Sequence, residues 1–99
     1  MSDACIVHLV IRGSVQGVGF RAWTQHQGQL RGLAGWVRNR RDGSVEVVVS
    51  GSKTEVAQMI AVCRQGPRGS AISDVAEAPG TPALLALAPA EGFAVLPTA

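Results

Sequence analysis

Tyrosine is absent from this chain, and its 99 residues hold only four aromatics: Phe20, Trp23, Trp36 and Phe93. A module that reads single-stranded RNA stacks bases on exposed aromatics of its sheet. The scarcity therefore weighs against nucleic-acid binding. Cysteine is nearly absent too. Cys5 and Cys63 form no CxxC pair and have no clustered histidines, so the usual zinc spacings are excluded and no metal is expected. Both read as buried thiols in a reducing compartment, with a disulfide between them the open alternative. No apolar run approaches the ~20 residues needed to cross a bilayer. The opening residues, MSDACIVHLVIRG, lack a positive n-region and carry Asp3, a poor match to a secretory signal. The chain is thus expected to be cytoplasmic, with no membrane partner. Acids are missing from one half. Between Ala4 and Arg41 there are six arginines and no Asp or Glu, whereas from Asp42 onward six acids meet three bases. Net charge is only +2, but its skew turns the N-terminal half toward any anionic partner.

What is present suits one domain spanning residues 1–99, a length that buries a core without staples. Ile6–Arg12 (IVHLVIR) is β-branched and reads as a buried strand. Phe20 to about Gly32 reads as a helix, stopped by Gly32. Its apolar stripe is weak, with Phe20, Thr24 and Gly28 on one face, and Gly28 should cost it roughly 1 kcal/mol relative to Ala. Ala34–Asn39 and Ser44–Ser50 read as strands joined by RRDG, whose Asp-Gly pair signals a turn. Lys53–Gln65 carries Val56, Met59, Ile60 and Cys63 at helical spacing, and Gly66-Pro67 ends it. Ser70–Ala78 reads as a fourth strand. PGTPALLALAPAEG reads as a loop with room for one helical turn, and Phe93–Leu96 as a short last strand. The order β-α-β-β-α-β implies an α+β, ferredoxin-like split βαβ sandwich, with two helices on one face of a mainly antiparallel sheet.

The stretch GSVQGVGFR, residues 13–21, joins the first strand to the first helix. The first N–H groups of a helix lack internal partners, and the helix dipole adds partial positive charge there. A glycine-rich approach lets several N–H groups converge, which makes an anion site suited to phosphate. Arg21 sits in the first helical turn, where a fixed cation opposes the dipole unless it pairs with a bound anion. The loop lacks GK[ST], so it is not a Walker A loop, and GxxxGxG is not the dinucleotide fingerprint. Asn39 ends the strand after the first helix. In a split βαβ unit that strand end lies on the same edge as the loop. An amide there holds a water through its carbonyl and NH₂ groups. As a residue preceding RRDG, Asn39 is equally a common turn former.

At these residues the chain resembles the acylphosphatase family. Ser14, Val15, Gln16, Gly17, Val18, Gly19, Phe20 and Arg21 are similar to its signature loop, and Gly35-Trp36-Val37-Arg38-Asn39 to its second signature, at matching separation. Asp42-Gly43-Ser44-Val45-Glu46-Val47 with Gly51, and Phe93-Ala94-Val95, extend the resemblance over nearly the whole chain. The resemblance implies hydrolysis of the carboxyl–phosphate bond of a small acylphosphate to a carboxylate and inorganic phosphate, with no metal, no cofactor and no phosphoenzyme. It implies that Arg21 grips the phosphate, that loop residues 14–20 complete the cradle through their N–H groups, and that Asn39 orients the attacking water. No general base stands near the motif, and His8 and His26 read as structural or surface residues. The chemistry tolerates this, since a carboxylate leaving group has a conjugate-acid pKa of roughly 4 and needs no general acid. A monomer is expected. Two alternatives remain at this level: an RNA-binding module of the same element order, against which stands an aromatic-free third strand (SVEVVVS), and an acyl- or carbamoyl-phosphate-binding regulatory domain with little turnover.

Overall fold

Among the described residues, the helix periodicity and the β-branched runs resolve into five strands and three helices. In chain order they are β1 (Ala4–Ser14), α1 (Phe20–Leu30), β2 (Ala34–Asn39), β3 (Val45–Ser52), α2 (Lys53–Gln65), β4 (Ala71–Pro79), α3 (Pro82–Leu85) and β5 (Phe93–Val95). The structure is a computed structural model and describes residues 3–89 and 91–99. The strands form one sheet in the order β4-β1-β3-β2-β5. β3 runs antiparallel between β1 and β2, β4 pairs antiparallel with β1, and β5 adds to β2 in parallel. This is the ferredoxin-like split βαβ arrangement expected from the element order. The loop at 80–91 does contain one helical turn, α3; Ala90 within it lies outside the described residues.

Alternation along the strands sorts side chains onto two faces. Leu9, Ile11, Val37, Val45, Val47 and Val49 turn toward α1 and α2 and join Phe20, Val56, Met59 and Cys63 in a single apolar cluster. The other face carries Trp36 and Val48, both fully buried. There the Trp36 indole Nε1 donates to the Leu84 carbonyl at 2.8 Å, so α3 caps this face.

The weak stripe of α1 has a physical reason. Gly28 is buried, and a Cβ built on it would overlap the Phe93 ring. The missing side chain lets β5 seat against the helix. Gln25 Nε2 secures the contact by donating to the Phe93 carbonyl at 3.0 Å. The helix stops at Leu30, two residues short of the expected end. Gly32 is already left-handed at φ 64, and the Gly32 and Leu33 N–H groups turn back to Gln29 and Gly28. α2 has the expected bounds, with the Ser52 side chain accepting from the Glu55 N–H at its start. One expectation is corrected: Cys63 is buried, its thiol pushed up to about 12 by that burial, but Cys5 near the start of β1 is only half-buried. Both thiols are free.

Candidate active site

Strand register places the two candidate residues together. Ile11 of β1 and Asn39 of β2 both pair with Val45 of β3. Asn39 therefore stands level with Ile11, the last residue of β1 that pairs with β3, on the edge from which β1 runs on into the loop at residues 15–19. Backbone conformation then shapes the loop. Gly19, the N-cap of α1, is left-handed at φ 77, and no side chain caps the helix. Gly17 has φ 78, with open space where a Cβ would be. Trp23 N–H closes the first turn onto Gly19 O at 3.0 Å. Among the described residues, the N–H groups of Gln16 through Ala22 donate no intramolecular hydrogen bond. They form the set of orphan donors that an uncapped helix end presents to an anion.

Apolar side chains hold this loop from beneath. Val15 is fully buried, Phe20 nearly so, and Val18 packs against the same core. Phe20 meets Trp23 edge-on, with ring centroids 5.4 Å apart. A polar tether acts from the side. Gln16 Nε2 donates to the carbonyls of Arg40 at 2.8 Å and Ser44 at 2.9 Å, which ties the loop to the β2–β3 turn beside Asn39. That turn is stiffened in its own right. Asp42 Oδ1 accepts from the Ser44 hydroxyl at 2.6 Å and from the Ser44 N–H at 2.9 Å, and Arg12 approaches Oδ2 at 3.3 Å. The Ser44 hydroxyl, then its N–H, then Arg12 hold the Asp42 carboxyl at about 2.

Between loop and strand end opens a pocket of about 330 Å³. Arg21, Asn39 and the backbone of Gly17 and Gly19 form its polar wall, and Val15, Phe20, Ala22 and Val95 its apolar one. Arg21 makes no ion pair or side-chain hydrogen bond among the described residues. Asn39 Oδ1 is buried and has no hydrogen-bond partner there. Three of the sequence-selected residues lie outside the pocket wall: Ser14 ends β1 opposite Ala71, Gln16 reaches the turn, and Val18 faces the core. The tethering role of Gln16 was not read from the sequence, because its partners lie 24 and 28 residues away.

One cluster of titratable groups is paired away from the pocket. On the opposite face, Glu46 accepts from Arg38 Nε and from His8 Nε2, each at 2.7 Å. Burial alone would push the Glu46 carboxyl up, but the hydrogen bonds and charges of Arg38 and His8 outweigh it and hold the carboxyl below its ordinary 4.5. The Arg38 guanidinium also stacks 4.7 Å over the Trp36 ring. His26 is exposed on α1. Among the described residues, no three His, Cys, Asp or Glu side chains gather where they would hold a metal ion.

Comparison with known proteins matches this arrangement. The family model "Acylphosphatase" matches residues 7–84, a span holding the loop, Arg21 and Asn39. An acylphosphatase of Bradyrhizobium diazoefficiens is 50% identical over 94 residues, which cover 94% of this chain and 95% of that one. Among solved structures, an acylphosphatase from Coxiella burnetii superposes with a TM-score of 0.84 at 26% identity, covering 95% of this chain and 94% of that one. The acylphosphatase from Bacillus subtilis gives 0.77 at 30% identity, covering 92% and 97%. With its sequence matched almost end to end, and its loop and strand end meeting over one pocket, the chain belongs to the acylphosphatase family.

Proposed function

We propose that this chain hydrolyses acylphosphates to a carboxylate and inorganic phosphate, with Arg21 and the loop N–H groups of residues 14–20 as the phosphate cradle and Asn39 as the residue that orients the attacking water. Relatives named acylphosphatase over nearly their full length support the reaction. The residue roles rest on one observation above others. A buried, unpartnered amide oxygen, Asn39 Oδ1, shares a pocket with an unpaired arginine and an uncapped helix end.

The chemistry follows from that arrangement. The phosphoryl group carries negative charge on three oxygens, and its transition state is loose, so catalysis depends on position and electrostatics. The Arg21 fork and the convergent N–H groups meet that charge with donors already in place. Asn39 Oδ1 accepts a hydrogen bond from the incoming water and so aims the water's lone pair at phosphorus. A phosphate oxygen takes the water's proton, and the carboxylate leaves unprotonated. The cycle needs neither His8 nor His26. Because one chain supplies every residue of the site, the protein is proposed to work as a monomer and a single domain. Among the described residues no helix is long and apolar enough to cross a membrane, which agrees with a proposed place in the cytoplasm.

Asn39→Ala tests the division of labour. Turnover of benzoyl phosphate should fall by about 10²–10³-fold, the usual loss for one preorganised group, while calorimetry finds inorganic phosphate bound as before. Affinity that collapsed together with turnover would place Asn39 in the cradle and refute its assignment to the water.

A further inference from the structure

The paired part of β5 ends at Val95, opposite Val37 of β2. Asn39 lies two residues further on, beyond any partner in β5. The chain does not leave the sheet there. Leu96 N–H donates to Val37 O at 2.9 Å, Ala99 N–H to Asn39 O at 3.0 Å, and Arg41 N–H to Ala99 O at 2.9 Å. The last two bonds form a parallel bridge around Arg40. Pro97 has no N–H to give, and the segment takes one extra residue over its course before Ala99 meets the strand again. Residues 96–99 thus lie along β2 as a strap whose final bond falls on the main chain of Asn39.

We infer that Ala99, through its backbone N–H, is a positioning residue for Asn39. On one side Asn39 pairs with Val45 of β3. On the other, the bonds to Ala99 keep the end of β2 from fraying into the turn at Arg40–Gly43. Strand ends and turn tips open at little free-energy cost unless both sides are held. The residue held here is the one whose side chain must aim a water, where a displacement of about 1 Å costs up to 10²-fold in rate. Gln16 holds the loop to the Arg40 and Ser44 carbonyls from the opposite direction. The two attachments together fix the spacing between the anion cradle and Asn39. The inference rests on the role proposed above for Asn39.

Ala99→Pro removes the donor and leaves the side chains of the pocket untouched. Its kcat for benzoyl phosphate should fall about tenfold, a fraction of the loss full misplacement brings. KM and the phosphate affinity measured by calorimetry should be unchanged. Ala99→Ser keeps the N–H, and turnover should follow the donor and not the side chain. Replacing Ala99 by lactate through chemical ligation removes the same N–H without a proline ring, and carries the comparison if the proline variant does not fold. In an Asn39→Ala background the proline should bring no further loss. Full turnover in Ala99→Pro beside lost turnover in Asn39→Ala overturns the strap alone. Full turnover in both overturns the role of Asn39 on which it rests. A loss that persists when Asn39 is already Ala, or one shared by KM and phosphate affinity, overturns the positioning role.

Discussion

Arg21 and Arg38 come from the same acid-free stretch of sequence, yet the fold treats them in opposite ways. Arg38 lies on the α3 side of the sheet. It meets Glu46 at 2.7 Å, stacks on Trp36, and shares its carboxylate with His8. Arg21 borders a pocket beside an uncapped helix end and has no such partner among the described residues. One arginine is neutralised and contributes to the architecture; the other is left unpaired at the pocket, where the proposed function has it meet the phosphate. Of the six arginines between Asp3 and Asp42, Arg40 and Arg41 also lack a side-chain partner among the described residues, and what sets Arg21 apart is that it lines the pocket.

The largest effect should come from the unpaired arginine. Arg21→Lys retains the charge but loses the planar fork. The loss of kcat/KM should approach the 10²–10³-fold, about 3–4 kcal/mol, typical of removing a preorganised donor. Steady-state kinetics with benzoyl phosphate and phosphate calorimetry measure it. A lysine variant with near-parent kinetics would show that charge alone suffices there and weaken the contrast with Arg38.

Glu46→Gln should do the reverse, lowering stability and sparing kinetics. It leaves Arg38 and His8, each about a fifth exposed, without their anion. A fully buried broken pair costs about 3–5 kcal/mol, and partial exposure reduces this to about 2 kcal/mol. Urea unfolding reads that change. The sign with pH follows from a carboxyl held below its ordinary 4.5. Its contribution is present above that value and is lost as pH falls through the lowered folded value. The gap between parent and Glu46→Gln should therefore be widest at neutral pH and close in acid.

The smallest of the three is Gln16→Ala. It removes two hydrogen bonds to main-chain carbonyls, each worth about 0.5–1.5 kcal/mol. Loosening the loop against Asn39 should lower kcat/KM about tenfold, equivalent to about 1.4 kcal/mol, with a modest drop in melting temperature. Unchanged kinetics would mean that Val15 and Phe20 position the loop without help.

These contrasts mark what was legible in the chain. Element order was, since periodicity and turn residues are local signals; α2 was placed at Lys53–Gln65 from its apolar stripe and the Gly66 stop. The pairing of Asn39 with the loop was also within reach, because split βαβ topology fixes which strand ends share an edge. Less visible were features made by distant partners. Gln16 looked like one more loop residue, since nothing local points to carbonyls across the site. The His8–Glu46–Arg38 cluster depends on the registers of three strands. Cys5 reads as buried by residue type, but its place near the start of β1 leaves it half-exposed. Leu96 reads only as the end of the last strand, and Pro97–Ala99 carry no pattern, because a strap held by main-chain bonds leaves no trace in side-chain type.

The uncapped start of α1 has a thermodynamic consequence. Most helices carry their own cap, worth about 1 kcal/mol, in a Ser, Thr, Asp or Asn side chain; here Gly19 supplies none. The native protein alone has the N–H array assembled, so an anion that fills it draws the folding equilibrium toward the native state by mass action. Inorganic phosphate, the product, should thus raise the melting temperature with the logarithm of its concentration once that exceeds its Kd. The turnover product and a stabilising co-solute become the same molecule.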